Sequence, residues 1–489
     1  MSLFQKTATE LSGMLAAKQI SAVELLNDVF SRIDSVEDKI QAYITQTREL
    51  ALSQAEKVDE RRSKGGDLLP LAGIPLAVKD NISVKGIPLT CASRMLESYI
   101  PPFSATVIDI LTGKGTVLTG KTNLDEFAMG SSCETSYFKK TRNPQNLDYT
   151  PGGSSGGSAA ALAAGEAIIA LGTDTGGSAR LPAAYCGVVG LRPTYGAVSR
   201  YGAVAFGSSL DQICPMGRSV ADVAALFSEI CGPDKMDAVA AVRGYPDFMS
   251  ALGNGINGMT IGIPAEYFGE GIDAEIAKIV MDAVHVLERE GAVVKQISLP
   301  ATRYALPAYY IISAAEASSN LARFDGVRFG HRASEYENVD ELIEKSRSEG
   351  FGDEVKRRLI LGAHFLSAGN YDVYYKRAAL MRRRVHAEFE ACLGGDCDCI
   401  ISPTTATTAV KSGEHMDASA KGYTVDACTV AASLAGLPAI SLPCGTASNG
   451  LPVGLQITGG KFAEEQILQM AYRFEAATGG PKSLPVINE

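Results

Sequence analysis

The chain has few histidines and no long apolar run. The first shortage argues against a histidine base, and the second argues against a membrane span. Only five of its 489 residues are histidine, and none lies in the glycine-rich first half. A histidine base for a nucleophile in that half is therefore disfavoured. The apolar run from Ala159 to Leu171 contains Glu166 and is shorter than the roughly 20 residues of a membrane span. The N-terminus also lacks the basic start and apolar core of a signal peptide, so we expect a cytoplasmic protein without membrane contact.

Short motifs for phosphate and zinc are missing as well. The glycine-rich stretch after Thr150 contains neither Gly-Lys-Ser/Thr nor G-x-G-x-x-G, which argues against a phosphate cradle. Ten cysteines are scattered along the chain. The closest group, Cys392, Cys397 and Cys399, lacks the C-x-x-C spacing of zinc sites. We therefore expect reduced thiols, no metal and no cofactor in this chain.

Composition predicts one large acidic α/β domain. Asp and Glu number 55 and Lys and Arg number 45, which gives a formal net charge of −10. Nucleic-acid binding depends on Lys and Arg that neutralise phosphates, so we expect any nucleic acid to be held by a partner. Hydrophobic residues make up 46% of the chain, enough for a sizeable core. No linker or internal repeat divides the chain, and helix and strand patterns alternate along it.

The most informative stretch runs from Thr150 to Pro193. Its first loop, Gly152 to Ser158, holds four glycines and three serines. A helix is predicted from about Ser158 to Gly165 and a strand from Ala167 to Leu171, and a second glycine loop follows from Thr173 to Ser178. Glycine lets another group approach the backbone closely, and successive N–H groups can hold a developing negative charge. The two loops favour an oxyanion site with a serine nucleophile.

Lys79 is the candidate base for such a serine. It follows the predicted buried strand Leu76 to Val78 and stands at the strand's carboxyl end, where open α/β sheets bind ligands. Burial can make a lysine neutral and thus a base. An isolated lysine is more commonly a surface residue with a partly buried stem, and that alternative stays open. Asp80 is not expected to pair with Lys79, because adjacent strand residues point to opposite faces.

Longer motifs carry a resemblance to a known family. They include GIPLAVKDN, NLDEFAMGSS, GGSSGGSAAALAAG, GTDTGGSARLPAAYCGVVGLRPTYG, VSRYGAVAFGSSLDQ, SAAEASSNLARFDGVRFG, KRRLILGAHFLSAGNYDVYYKRA and LAGLPAISLP. They resemble the amidase signature family of Ser–cis-Ser–Lys amide hydrolases, and most of all its branch of glutaminase subunits in tRNA-dependent amidotransferases. The resemblance implies an α/β amidase signature fold, with a large mixed β-sheet covered by helices on both faces.

The expected organisation is a single amidase domain over residues 1–489. Its core lies at about 66–232 and 396–489. N-terminal helices at 1–65 precede the core, and a cap-like helical region at about 233–395 interrupts it.

Carried onto this sequence, the resemblance implies that Ser178 is the nucleophile, Ser154 the bridging serine and Lys79 the base. The two serines are 24 residues apart and the lysine precedes the first by 75, as in the family, which selects Ser154 rather than Ser155. The family also implies a cis peptide between Gly153 and Ser154.

The same resemblance assigns a pocket for glutamine. The residues assigned to the oxyanion hole and to substrate binding are Thr175, Gly176, Gly177, Ser131, Tyr309, Arg358 and Asp426. Arg358 offers a fork to the α-carboxylate of glutamine, Asp426 can meet the α-ammonium, and Tyr309 adds a hydroxyl. An ordinary ion pair on a helix surface is the alternative for Arg358.

The implied partners are subunits B and C of a heterotrimeric amidotransferase. Ammonia from glutamine would serve the ATP-dependent conversion of Glu-tRNA(Gln), Asp-tRNA(Asn) or both. ATP, Mg²⁺ and the mischarged tRNA are expected at the partner, since nothing in this chain resembles an ATP site. Two alternatives remain: a free-standing amidase acting on another small amide, and a catalytically silent scaffold subunit.

Four positions depart from the family pattern without removing a group of the expected triad. Leu181, Ser433, Cys214 and Ala406 stand where Gln, Asn, Gly and Pro are usual. These departures leave donor preference and partner contacts open.

Overall fold

The computed structural model describes residues 2–66, 68–414 and 425–487. Within these ranges eleven β-strands form one sheet, in the order β1-β3-β2-β4-β6-β5-β10-β11-β9-β7-β8. The strands are β1 Tyr43–Gln46, β2 Pro75–Lys79, β3 Val117–Thr122, β4 Ile169–Asp174, β5 Val189–Arg192, β6 Gln212–Gly217, β7 Thr260–Pro264, β8 Val293–Ile297, β9 Cys399–Pro403, β10 Ala439–Thr446 and β11 Pro452–Gly459. Strand β2 is parallel to β3 and β4, and β7 is parallel to β8 and β9. The other pairs are antiparallel, so the predicted mixed sheet is confirmed.

The described residues also form fifteen α-helices. They are α1 Ala8–Ala16, α2 Ala22–Ile40, α3 Arg48–Ser63, α4 Thr106–Gly113, α5 Gly156–Ala164, α6 Arg180–Cys186, α7 Val220–Ile230, α8 Phe248–Ala251, α9 Ala274–Arg289, α10 Ala305–Asn320, α11 Val339–Gly350, α12 Asp353–Leu366, α13 Tyr375–Ala391, α14 Val430–Ala435 and α15 Glu464–Ala477. None of the helices in the described ranges is long and apolar enough to cross a membrane.

The centre of the sheet is buried along its whole length. Every residue of β2, β4 and α5 is buried, which matches apolar runs rather than the alternation of half-exposed strands. The helix begins two residues earlier than the sequence predicts, at Gly156. Strand β4 is shifted towards its carboxyl end, to Ile169–Asp174, because Thr173 and Asp174 continue the antiparallel ladder with β6. The polar residues at the end of β4 can therefore be assigned to the strand only from its pairing with β6.

The structure differs from the expected domain organisation in two regions. The N-terminal region contains helices α1 to α3, but also the short strand β1, which pairs with β3 at the edge of the sheet. Within residues 233–395, β7 and β8 belong to the sheet, and only the helices from α10 onwards lie beyond it. Strand β8 does not show the pattern of a buried strand because its residues are exposed or half-buried at the sheet edge.

Candidate active site

Lys79 ends β2 beside the end of β4, since the two strands are parallel neighbours and their carboxyl ends share one edge. Its side chain is fully buried. The Nζ atom lies 2.8 Å from Oγ of Ser154, 2.9 Å from Oγ of Ser155 and 2.8 Å from Oγ1 of Thr173. The peptide between Gly153 and Ser154 is cis, as the resemblance implies. The structure therefore brings the expected base and bridging serine into hydrogen-bond contact.

Burial sets the charge of this lysine. Desolvation lowers the pKa of Lys79 from 10.5 to about 8, and the carboxylate of Asp125 opposes that effect. Asp80 points to the other face of the strand, where its Oδ1 lies 2.6 Å from Nζ of Lys121. Lys79 forms no ion pair with any described residue. At neutral pH most of this lysine is still protonated, but its neutral form is far more populated than that of an ordinary lysine, as a lysine base requires.

The two serines beside Lys79 have different hydrogen-bond roles. The hydroxyl of Ser155 donates to the carbonyl of Thr173 at 3.0 Å, and its oxygen accepts the N–H of Thr173 at 3.2 Å. Ser154 accepts from Lys79, and its own O–H has no acceptor in the described part of the chain. Ser154 is therefore the serine whose proton is available for transfer.

Ser178 stands between β4 and α6, on the second glycine loop. Its carbonyl accepts the N–H of Ser155 at 2.9 Å, which joins the two loops. Ser178 is 7% exposed, whereas Ser154 and Lys79 are fully buried, so Ser178 is the member of the three that reaches the surface. The Ser178 hydroxyl makes no hydrogen bond within residues 2–66, 68–414 and 425–487. Such contacts commonly tighten only when substrate binds.

Three consecutive backbone N–H groups on this loop have no acceptor in the described ranges. Those of Thr175, Gly176 and Gly177 are buried and donate to no described backbone carbonyl or side chain. Gly177 has φ +144°, and the side chain of Thr429 occupies the position that a Cβ would take. Thr429 also donates from Oγ1 to the carbonyl of Gly176 at 2.6 Å. The backbone is thus held with its donors directed away from the protein's own acceptors, as an oxyanion hole requires.

A buried charge network fixes the start of the loop. Asp174 lies 3.0 Å from Nε of Arg180 and 3.1 Å from Nη1 of Arg192, and all three side chains are fully buried. Although burial alone raises the pKa of Asp174, the two guanidinium groups hold it well below its usual range. Ser433, one of the departures from the family pattern, accepts from Arg180 at 2.8 Å. Asp174 therefore orders the loop as a permanent anion.

Helices α10 and α12 supply two of the predicted pocket residues. The ring of Tyr309 packs on Gly176, where an added Cβ would lie 2.7 Å from the tyrosine hydroxyl. Arg358 donates from Nε to Glu354 at 2.7 Å. This ion pair resembles the alternative raised for Arg358, but the arginine is buried rather than on a helix surface. Its Nη atoms have no hydrogen-bond partner among the described residues.

The remaining pocket residues, Asp426 and Ser131, are half-buried. The Asp426 carbonyl accepts from Oγ1 of Thr429 at 3.1 Å, which places it next to the oxyanion loop. Burial raises the pKa of Asp426 to about 7, against the effect of Arg358. The backbone of Ser131 lies against Gly153, where an added Cβ would be 2.9 Å from the Ser131 carbonyl carbon. Residues 415–424, which include His415, lie outside the described ranges.

Two residues of this site escaped the sequence reasoning. Oγ1 of Thr173 accepts a hydrogen bond from Nζ of Lys79, and Asp125 is the charged residue that most strongly raises the pKa of Lys79 against burial. The carboxylate of Asp125 accepts the N–H of Cys133 at 2.9 Å and fills the space where a Cβ of Gly153 would lie. Two consecutive acidic residues, Asp125 and Glu126, among the apolar residues of the NLDEFAMG stretch were the available signal.

The candidate site does not coincide with a large cavity. A cavity of about 500 Å³ is lined by Tyr195, Arg200, Glu316 and Tyr375 among others, and by none of the residues assigned to the site. A cavity of about 10 Å³ adjoins Thr175. In the large cavity Oγ of Ser209 donates to Glu316 at 2.6 Å, but none of the lining residues is a lysine. We therefore place the site at the buried lysine that contacts two serines.

The mixed sheet and this arrangement of lysine, serines and N–H groups define a class of hydrolases in which lysine takes the place of histidine. The chain belongs to the amidase family, since the family model described as Amidase matches residues 24–468.

Individual relatives refine this assignment. The A-subunit of the glutamyl-tRNA(Gln) amidotransferase of Carboxydothermus hydrogenoformans is 53% identical over 485 residues, which cover 99% of this chain and 100% of the relative. The crystal structure of the corresponding A-subunit from Thermotoga maritima has a TM-score of 0.83 and 38% identity, covering 100% of this chain and 99% of that one. A peptide amidase bound to chymostatin has a TM-score of 0.83 and 30% identity, covering 99% of each chain. The same fold therefore serves both kinds of protein, and sequence identity favours the first.

Proposed function

We propose that this chain is the glutaminase subunit of a tRNA-dependent amidotransferase. It hydrolyses glutamine and supplies ammonia for the conversion of Glu-tRNA(Gln), Asp-tRNA(Asn) or both. The observation that carries the proposal is Lys79, a buried lysine of lowered pKa in contact with a serine that has a free proton. The identity of 53% over the whole length of an amidotransferase A-subunit supports the choice of reaction.

The geometry supports a proton relay that ends in an acyl-enzyme. Neutral Lys79 takes a proton from Ser154, Ser154 takes the proton of Ser178, and Oγ of Ser178 attacks the amide carbon of glutamine. The N–H groups of residues 175–177 hold the oxyanion, and one such donor is typically worth about 3 kcal/mol in the transition state. The proton returns through Ser154 to the leaving ammonia. Water then attacks the ester and releases glutamate.

The helical side of the pocket suits the polar end of glutamine. The Nη atoms of Arg358 are available for the α-carboxylate, and Glu354 holds the guanidinium through Nε. Asp426 suits the α-ammonium, which favours its charged form. The hydroxyls of Tyr309 and Ser131 complete the pocket.

The rest of the reaction belongs to partner subunits. Subunits B and C, ATP, Mg²⁺ and the mischarged tRNA complete the assembly, in the cytoplasm where translation takes place. The net charge of −10 supports a tRNA site on a partner rather than on this chain.

A free-standing amidase is the second candidate, favoured by the equal TM-score of the peptide amidase. Its activity would need no partner and no α-carboxylate on the substrate. A silent scaffold is disfavoured, because the contacts of Lys79 with Ser154 and the unpaired N–H groups of the described loop have no use in a scaffold.

The test is reconstitution of the complex. The chain is co-expressed with its partner subunits and assayed with glutamine, ATP and mischarged tRNA. We expect glutamate release coupled to tRNA amidation. Cleavage of simple amides by the isolated chain, without glutamine hydrolysis or amidation in the complex, would show the free-standing amidase instead.

Replacement of either serine beside Lys79 tests the relay. Ser154→Ala is expected to lower glutamine hydrolysis by about 10²–10⁴-fold, because it interrupts proton transfer. Ser155→Ala removes hydrogen bonds to Thr173 and is expected to lower the melting temperature with a smaller loss of rate. Steady-state rates and thermal unfolding of both variants distinguish the two roles. An equal loss of rate in both variants would contradict the assignment of Ser154 as the relay.

A further inference from the structure

Helix α12, which carries Arg358, begins without a capping side chain of its own. Its N-cap is Gly352, and the first N–H groups of a helix need partners from elsewhere. Glu126, 226 residues away in the chain, accepts the N–H of Gly352 at 2.9 Å through Oε2 and 3.1 Å through Oε1. A carboxylate at a helix N-terminus is also favoured by the helix dipole.

The position of Glu126 is closely determined. Its side chain is buried, and the hydroxyl of Ser93 donates to Oε1 at 2.5 Å. The missing side chain of Gly352 leaves the space that Oε2 occupies, and a Cβ there would overlap it. Apolar packing continues the contact, since the rings of Phe127 and Phe351 lie 5.6 Å apart in one buried cluster. The start of α12 is therefore docked on the loop that contains Glu126.

The residue before Glu126 faces the reacting groups. The N–H of Asp125 donates to the carbonyl of Ser154 at 3.3 Å, and its carboxylate packs behind Gly153 and acts on the charge of Lys79. Two consecutive acidic residues thus contact the two halves of the site. Asp125 contacts the half with Lys79 and Ser154, and Glu126 contacts the helix of Arg358.

We propose that Glu126 is a positioning residue for substrate recognition, which fixes the N-terminus of α12 to the Asp125 loop and thereby places Arg358 relative to Ser178. This inference rests on the proposed function, in which Arg358 binds the α-carboxylate of glutamine. Glu126 does not touch substrate. Its effect is on the affinity for glutamine rather than on bond cleavage.

Two variants and a matched control test it in the assembled complex. Burial raises the pKa of Glu126 to about 7, so Glu126→Gln tests the loss of the carboxylate at nearly constant shape. Gly352→Ala displaces the carboxylate from the helix N-terminus. Asp340→Asn removes an acidic side chain from the first turn of the neighbouring helix α11, where it is exposed and forms no hydrogen bond with Glu126. We expect KM for glutamine to rise about fivefold in the first two variants, with kcat changed by less than about twofold, and no change in the control.

Hydrogen–deuterium exchange of residues 353–358 provides a readout independent of activity. Faster exchange is expected in Glu126→Gln and Gly352→Ala, and native exchange in Asp340→Asn. An unchanged KM in both variants, or a fall in kcat alone, would overturn the inference. If the native complex does not hydrolyse glutamine, the proposed function is wrong. Independently of activity, native exchange rates in both variants would overturn the docking role of Glu126.

Discussion

Ser178→Ala is expected to abolish glutamine hydrolysis by the assembled complex. Removal of a serine nucleophile leaves only the binding groups and the oxyanion hole, so the rate should fall by on the order of 10⁴-fold or more. Amidation of tRNA with glutamine should fall in parallel, because its ammonia comes from that reaction. Amidation with added ammonium chloride should persist, since the proposed function assigns the activation of tRNA to a partner.

The measurement follows glutamate release and tRNA amidation, first with glutamine and then with ammonium chloride. Ammonia-supported amidation shows that the variant complex is assembled. Ser131→Ala is the matched control, because it removes a hydroxyl from the same pocket and keeps the nucleophile. Its rate should fall by less than about tenfold, the order of one hydrogen bond. Persistent glutamine hydrolysis in Ser178→Ala would show that the nucleophile is another residue.

Lys79→Met is expected to cause the second large loss, of about 10³-fold or more in kcat/KM, because methionine matches the shape of the stem and cannot accept a proton. Lys79→Arg should be equally inactive, since a guanidinium stays protonated. In the native complex, kcat/KM should rise with pH up to about 8, where the buried lysine becomes neutral. A native profile that falls over this interval would exclude Lys79 as the base.

Stability gives an independent measurement on the same residue. The pKa of Lys79 is about 8 in the folded protein and 10.5 for an ordinary lysine, so the unfolded chain binds more protons between these values. The free energy of unfolding should therefore rise with pH from about 8 to 10.5. Lys79→Met should lose this contribution. Urea unfolding of both proteins at the two ends of the interval tests it, and identical pH dependence would contradict the lowered pKa.

Local patterns were sufficient to predict an α/β chain, its glycine loops and Lys79 at a strand end, whereas the roles of Ser154 and Ser178 came from the resemblance. Buried strands read as apolar runs, and glycine clusters mark loops that other groups approach closely, so β2, α5 and β4 were predicted within a few residues. Lys79 was predicted at a strand end, and the structure places it there. The resemblance added the spacing that separates Ser154 from Ser155, and the structure gives these two serines different hydrogen bonds.

Contacts between segments that are far apart in the chain could not be predicted from local patterns. The docking of Glu126 on Gly352 joins residues 226 positions apart, and the burial of Arg358 depends on what covers its helix. The strand β8 is exposed along one edge, so its composition resembles that of a surface segment.

One physical reason separates the features that the sequence predicts from those that only the tertiary structure decides. Periodicity and backbone conformation depend on neighbours within a few residues, so the amino-acid order alone determined the buried strands β2 and β4, the glycine loops and the position of Lys79. The pKa of that lysine depends on the removal of water and on charges such as Asp125, which lie far away in the chain. Only the tertiary structure decided that Lys79 is a buried amine of lowered pKa and that α12 is held against the loop behind Ser154.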